Sequence, residues 1–412
     1  MSKVLIQTLA YNASKTIRRC VDSVVNQTYK GELEWHILDN GSTDDTLRLL
    51  NQYADQYKFI SIFHIDENRK PHTIEENKLW NQFVRRINLD LTDEDYYCTL
   101  DSDDEYKPEY IEKLHSFCVE NDLDVVAAGS DFINAVTNET MGIRTLNRDL
   151  VLYSQSDYDK YFVNYHALMR PMWGKLYKAT TLKGYVRNDN LTYGSDTYCV
   201  FYTLSLASKV GIVKESLYKY YVSEKSVSYV WDEKRIHSDH ILYEQACDFL
   251  ISKTGAVSPR NDEFLLLVYM EALHDTLRVL LNAQLSQSEK IDGLCEMFLC
   301  GHAKRLAARE NLGAHLGDVA TQTARRKELY ATAAQWLLSL KEISDEQAEN
   351  YCKLVEYLCA VSENVEGWLF YKKLLVKYLI DNARTTEAKS KIDELLELLP
   401  GDKELLAYAQ KL

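Results

Sequence analysis

The spacing of hydrophobic and polar positions changes along the chain near residues 230–260. Before that point, short β-branched or aliphatic runs alternate with segments of helical periodicity. The runs are Val4–Thr8, Trp35–Leu38, Tyr96–Leu100 and Val125–Ala128, and the helical segments are Ile17–Gln27, Asp44–Tyr57 and Glu109–Asn121. Because such alternation is typical of βαβ units, it predicts an α/β domain with a mainly parallel central sheet.

From Asp262 onward, apolar residues recur at helical spacing. Two segments there, Ser286-Gln-Ser-Glu289 and Ser344-Asp-Glu-Gln347, have the pattern of a capping box at a helix start. We therefore expect at least six helices and no strands in this part. The predicted organisation is an α/β domain over residues 1–240 followed by an all-α helical bundle over residues 241–412.

Composition narrows the possible functions. The 48 Lys and Arg residues against 62 Asp and Glu residues leave a net charge of −14, which argues against general affinity for nucleic acid or for an anionic membrane. No run approaches the ~20 apolar residues of a membrane span, and the first residues lack the apolar segment of a signal peptide. We expect a cytoplasmic protein whose nine cysteines, none in CxxC spacing, are reduced.

Polar clusters follow three of the predicted strands. They are Tyr11-Asn12, Asp39–Asp44 and Asp101–Asp104. Because ligands of open α/β sheets bind at the carboxyl ends of the strands, these clusters predict one common crevice.

The cluster Asp101-Ser102-Asp103-Asp104 concentrates negative charge just past a strand, which favours a cation between the carboxylates. Hard oxygen ligands suit Mg²⁺ or Mn²⁺, and an incomplete protein ligand set leaves positions for phosphate oxygens. The alternative is an acidic loop in which Asp103 or Asp104 caps a helix beginning near Pro108.

The second cluster contains Gly41, which permits a tight strand-to-helix turn, and Asp44, which can cap the next helix. That explanation does not require Asp39, whose carboxylate could accept a hydrogen bond from the imide N–H of a uracil. Tyr11 could supply an aromatic face for the same base, or it could be a core residue.

Taken in order, these motifs resemble family 2 of the GT-A glycosyltransferases. The matching segments are Leu9–Asn12, Cys20–Tyr29, Ile37–Asp44, Leu100–Asp104 with Pro108, Trp173–Tyr177 and Tyr193–Asp196. The resemblance covers residues 1 to about 230. It implies a Rossmann-like transferase domain that takes a UDP-sugar, uses a divalent cation, Mn²⁺ or Mg²⁺, and inverts the anomeric centre.

The resemblance also implies a role for individual residues. Asp103 corresponds to the metal-binding position and Asp196 to the general base; otherwise Asp196 could be a helix N-cap. The implied donor-binding residues are Ala10, Tyr11 and Asp39 at the base, Asp101 toward the ribose, and Asn68, Asn77 and Ser102, and the implied acceptor contacts are Asp104 and Trp173.

Two departures from the family pattern concern the general-base motif and the donor-binding segment. Ser195 stands where a Glu is frequent, and the arginine usually found near Asn77 is missing. Arg69, Lys70 or Lys78 could compensate for that arginine; otherwise they are surface charges.

The helical part has no catalytic clustering, and its last helix pair weakly resembles a tetratricopeptide hairpin. It could bind the acceptor, assemble a homo-oligomer, or simply form a bundle. An α/β transferase domain with such an appendage resembles bacterial transferases that extend glycans on proteins, including the serine-rich-repeat adhesins of streptococci, with UDP-GlcNAc or UDP-Glc as donor. The alternatives are a cell-wall or capsular polysaccharide transferase, and a catalytically inactive scaffold for another transferase.

Overall fold

The computed structural model describes residues 2–68, 91–182, 188, 191, 193–223, 230–340 and 345–412. The chain divides into two compact units, Met1–Asp262 and Glu263–Leu412.

The described part of the first unit contains a ten-stranded sheet with the order β3-β2-β1-β4-β9-β6-β10-β5, to which β7 adds beside β6 and β8 beside β10. The strands are β1 Lys3–Ala10, β2 Glu32–Asn40, β3 Ile60–Ile65, β4 Tyr96–Thr99, β5 Glu105–Tyr106, β6 Val125–Asn134, β7 Thr140–Arg144, β8 Leu150–Leu152, β9 Lys175–Lys178 and β10 Val210–Val222.

The strand directions determine where the site forms. β1 pairs in parallel with β2 and β4, β2 with β3, and β6 with β10. The intervening β9 is antiparallel to both β4 and β6, so β6 again runs in the direction of β4. Strands β1, β2, β3, β4, β6 and β10 therefore all end at one edge, and β9 begins there.

The helices that lie wholly within the first unit are α1 Ile17–Val25, α2 Thr46–Gln56, α3 Tyr110–Asn121, α4 Gln155–Met169, α5 Ala179–Leu182, α6 Ser195–Leu206 and α7 Arg235–Thr254. The core between α1, α3 and the sheet includes the buried residues Ile6, Cys20, Trp35 and Leu114. Trp35 satisfies its indole N–H by donating to Thr8 Oγ1 at 2.9 Å.

Helices form the remainder of the described chain: α8 Pro259–Asn282, α9 Gln287–Leu299, α10 Gly301–Ala307, α11 Val319–Leu338, α12 Asp345–Ser362, α13 Val365–Asp381, α14 Thr385–Leu398 and α15 Lys403–Ala409. The capping box predicted at Ser286 is present, because Ser286 and Glu289 each bond the other's backbone N–H. Ser344 of the second predicted box lies outside the described residues.

The predicted α/β class is confirmed: a sheet of mostly parallel strands is accompanied by helices and followed by a helical region. The nine cysteines all lie in the described residues, and none of them forms a disulfide there.

Candidate active site

Strands β1 and β2 form the end of the sheet edge where the expected donor-binding residues lie, here called the donor end. Ala10 is buried and lies opposite Asp39 in the parallel register, and Tyr11, which follows it, is exposed. Asp39 is fully buried, and its Oδ2 accepts hydrogen bonds from the backbone N–H of Ser42 at 3.3 Å and from His64 Nδ1 at 2.7 Å. Its Oδ1 is also buried but has no hydrogen-bond partner among the described residues. This end of the edge thus presents one unpaired carboxylate oxygen.

The turn after β2 brings Asn68 to the same place. Gly41 has a φ of 72°, and a Cβ there would lie 2.3 Å from the backbone of Glu67 and of Asn68. Glycine is therefore required for both its conformation and its lack of a side chain. Asn68 is exposed and accepts a hydrogen bond from Asn40 Nδ2 at 3.3 Å. Asn77, the other predicted donor contact of this region, lies outside the described residues.

Side chains at the start of α1 hold the loop that follows β4. Thr16 Oγ1 donates to the backbone oxygen of Ser102 at 3.0 Å, and Arg19 Nη2 donates to that of Asp103. Since these contacts use backbone oxygens, the carboxylates of Asp101 and Asp103 keep their acceptor capacity.

Asp104 has a different environment from Asp101 and Asp103. It is buried, and its two oxygens contact strand β10 through the Tyr218 hydroxyl at 2.9 Å and the Tyr221 N–H at 2.8 Å. Asp104 therefore links the loop to the sheet. Because its side chain is buried, it is not available for the acceptor contact expected from the sequence. The helix-cap alternative for Asp103 or Asp104 is wrong, because α3 has Glu109 at its N-cap and no side-chain cap.

Asp196 reaches the same edge from the first turn of α6. The turn before it depends on Gly194, whose φ is 70° and which is the N-cap; the alternative of Asp196 as N-cap is therefore wrong. The pKa of Asp101 is raised to about 7, first because the surrounding protein removes hydration and then because of the charges of Asp196 and Asp103. Asp103 and Asp196 thus each lie close enough to Asp101 to interact with it electrostatically.

Trp173 lies two residues before the start of β9. Its ring stacks on Tyr218 and Tyr220, with centroids 4.6 Å and 5.1 Å away. The turn is fixed by the buried Lys175, whose Nζ donates to the backbone oxygens of Leu168 at 2.7 Å and of Trp173 at 3.4 Å. Desolvation lowers the pKa of Lys175 to about 7, against the raising effect of the Asp196 charge.

The side chains at this edge can be compared with the ligands that a divalent cation requires. No group of three or more His, Cys, Asp or Glu side chains that could hold a metal ion occurs among the described residues. Asp103 nevertheless offers an exposed carboxylate beside Asp101, and hard cations such as Mg²⁺ accept few protein ligands when phosphates complete the shell. The residues fit a cation held jointly with a nucleotide diphosphate, not an all-protein cage.

Three residues of the edge escaped the sequence interpretation: His64, Arg19 and Lys175. His64 and Arg19 act through contacts with residues distant along the chain, Asp39 and Asp103, whereas Lys175 contacts the end of α4 only seven residues before it. Only the Trp173–Tyr177 motif gave any signal, since it contains Lys175.

The family comparison agrees with this geometry. Residues 6–180, somewhat less than half of the chain, match the family model described as Glycosyl transferase family 2.

Two curated relatives match this chain over only part of their own length. Glycosyltransferase GlyA of Streptococcus pneumoniae serotype 4 is 27% identical over 245 residues, which cover 57% of this chain and 33% of GlyA. The uncharacterized glycosyltransferase YibD of Escherichia coli K12 is 25% identical over 224 residues, 53% of this chain and 61% of YibD. The chain thus spans less than two thirds of each of these relatives.

A solved structure shares the fold. The crystal structure of S. aureus TarS 1-349 in complex with UDP has a TM-score of 0.52 and 16% sequence identity, and the likeness covers 84% of this chain and 95% of that one. In the described part of the chain, no helix is both long and apolar enough to traverse a bilayer.

Proposed function

We propose that the chain is an inverting, metal-dependent glycosyltransferase that transfers GlcNAc or Glc from a UDP-sugar to a hydroxyl of a glycan on a protein acceptor, such as a serine-rich-repeat adhesin. The observation that carries this proposal is the grouping of Asp101, Asp103 and Asp196 at one sheet edge, where the charges of Asp103 and Asp196 act on Asp101. The family 2 match over residues 6–180 supports the same reaction class.

The donor binds along the edge. Asp39 has an unpaired buried oxygen suited to the imide N–H of uracil, and the exposed Tyr11 lies next to it in the β1 loop. Ala10 and Asn68 border this end, and Asp101 and Ser102 follow toward the ribose. Asp103 would hold the divalent cation, Mn²⁺ or Mg²⁺, whose charge offsets that of the departing diphosphate. The UDP complex of the structurally similar TarS supports a uridine nucleotide.

Asp196 is the general base of this reaction. Its carboxylate takes the proton of the acceptor hydroxyl while that oxygen attacks the anomeric carbon. The bond from the anomeric carbon to the diphosphate oxygen breaks on the opposite face, which inverts the centre and releases UDP. Trp173, whose ring stacks on Tyr218 and Tyr220 of β10, is the proposed contact for the acceptor sugar.

The helical part, residues 241–412, is proposed to bind the acceptor or to assemble a homo-oligomer. Helix α13 supports this role because Val365, Phe370 and Leu374 expose apolar side chains on it. Light scattering of the purified chain tests the assembly, and a variant with Phe370 and Leu374 changed to Ser should be monomeric.

The deciding experiment supplies labelled UDP-GlcNAc, UDP-Glc and UDP-Gal with Mn²⁺ to the full chain, together with a glycosylated protein, a lipid-linked acceptor or a cell-wall polymer. We expect label in the glycoprotein only, and UDP release that EDTA abolishes. Label in the polymer or lipid instead would favour the polysaccharide transferase. If no nucleotide sugar binds or is hydrolysed, the scaffold alternative replaces the enzyme.

A further inference from the structure

His64, which is partly exposed, pairs with the fully buried Asp39 at the donor end of the edge. They lie opposite each other in the parallel pairing of β2 with β3, so the sheet itself brings them together. The distance from His64 Nδ1 to Asp39 Oδ2 is 2.7 Å. Because a carboxylate only accepts hydrogen bonds, Nδ1 must carry the proton and donate.

The contact makes the two oxygens of Asp39 unequal. Oδ2 accepts from both His64 and the backbone N–H of Ser42, whereas Oδ1 is buried without a partner among the described residues. A buried acceptor left unpaired is costly, so Oδ1 is the atom at which a ligand donor gains most. His64 also prevents rotation of the carboxylate, which would move the satisfied oxygen into that place.

A fixed acceptor distinguishes between nucleobases. Uracil presents a ring N–H between two carbonyl groups, whereas cytosine presents a ring nitrogen lone pair at the same position. The lone pair faces the carboxylate oxygen without a hydrogen, and a site built around one hydrogen bond strongly rejects a ligand that cannot make it.

We propose that His64 is a specificity-determining residue that, by fixing Asp39, makes the donor site select uracil over cytosine. The inference rests on the proposed function, since it assumes that a nucleoside diphosphate binds at this edge. It assigns to β3 a part in donor selection in a chain that lacks the family's arginine near Asn77.

The test measures UDP and CDP binding by isothermal titration calorimetry, with Mn²⁺ present, for the wild type and three variants. His64→Leu removes the hydrogen-bond donor to Asp39 and should weaken UDP binding about tenfold or more while leaving CDP binding nearly unchanged, because the lost bond is to a charged group. His64→Asn retains an N–H near the Nδ1 position and should preserve the preference. The exposed His237, changed to Leu, is the matched control.

Asp39→Asn provides an independent variant if His64→Leu fails to fold, as judged by circular dichroism. In this variant the new amide oxygen would accept from His64, and the amide NH₂ group would face the nucleobase. The binding preference should therefore shift from UDP toward CDP. An unchanged ratio of UDP to CDP affinity in folded His64→Leu or Asp39→Asn overturns this inference alone. Failure of the wild type to bind either nucleotide overturns the proposed function together with it.

Discussion

The carboxyl group of Asp104 joins the loop after β4 to strand β10, accepting from the Tyr221 N–H at 2.8 Å and contacting the Tyr218 hydroxyl at 2.9 Å. Burial, followed by the charges of Asp101 and Asp103, raises the pKa of Asp104 well above its usual range. The buried side chain of Asp104 therefore fixes the loop that carries Asp103.

Replacement of Asp104 is expected to affect stability first. Asp104→Ala leaves the buried Tyr221 N–H unpaired and should lower the free energy of unfolding by about 1–3 kcal/mol. Asp104→Asn should cost less, because an amide has the hydrogen-bonding capacity of a protonated carboxyl group. Urea denaturation of both variants checks this, and equal losses would contradict the assigned contacts.

Asp196→Asn is expected to reduce kcat by about 10²- to 10⁴-fold, because an amide cannot take the proton of the acceptor hydroxyl. UDP affinity should change little, since donor binding does not use this group. Steady-state kinetics and calorimetry separate the two effects. Glu120→Gln, an exposed change on α3, is the control, and an equal loss of UDP binding in Asp196→Asn would argue for a structural role.

Removal of metal by EDTA is expected to abolish transfer and to weaken UDP binding, with recovery on addition of Mn²⁺. Asp103→Asn should raise the Mn²⁺ concentration required for half-maximal UDP binding by at least about tenfold, because it removes a charged oxygen ligand. Asp55→Asn, at an exposed position in α2, should leave this concentration unchanged. Identical metal titrations for Asp103→Asn and the wild type would rule out Asp103 as a ligand.

Gly41→Ala is expected to destabilise the donor end of the edge. Its φ of 72° alone costs an L-residue about 1–2 kcal/mol, and the new Cβ would overlap the backbone of Glu67 and Asn68. The free energy of unfolding and UDP affinity should both fall. Gly142→Ala is a suitable control because no atom lies within 4 Å of its Cβ position.

His166 is expected to make the fold sensitive to acid. Burial, followed by the charges of Arg170 and Arg144, lowers the pKa of His166 from 6.5 to about 3. Between pH 6.5 and about 3, the unfolded chain therefore binds a proton that the folded chain does not, so this residue's contribution to stability decreases as the pH falls through that window.

His166→Phe removes this proton uptake while keeping an aromatic ring next to Phe162 and Phe201. Its free energy of unfolding should lose less on acidification than that of the wild type, by up to about 1.4 kcal/mol per pH unit. Guanidinium denaturation at several pH values measures the difference. Parallel pH profiles for the two proteins would show that His166 does not titrate in this way.

The sequence pattern placed four strands and three helices of the first unit near their final bounds. The run Val4–Thr8 lies within β1 Lys3–Ala10, and the pattern at Ile17–Gln27 became α1 Ile17–Val25. These elements are recognisable because burial of one face imposes its period on consecutive residues. The short antiparallel β9 had no such period and was not assigned as a strand, although it lies between β4 and β6.

By itself, the sequence determined the class of fold and the residue types at the ends of the strands, since both are properties of neighbouring residues. Only the tertiary structure decided which of these residues share an environment. It separated the exposed Asp103 from the buried Asp104, and it placed His64 against Asp39. Pairing between strands and the solvation of a carboxyl group depend on residues far apart in the chain, and local patterns do not contain that information.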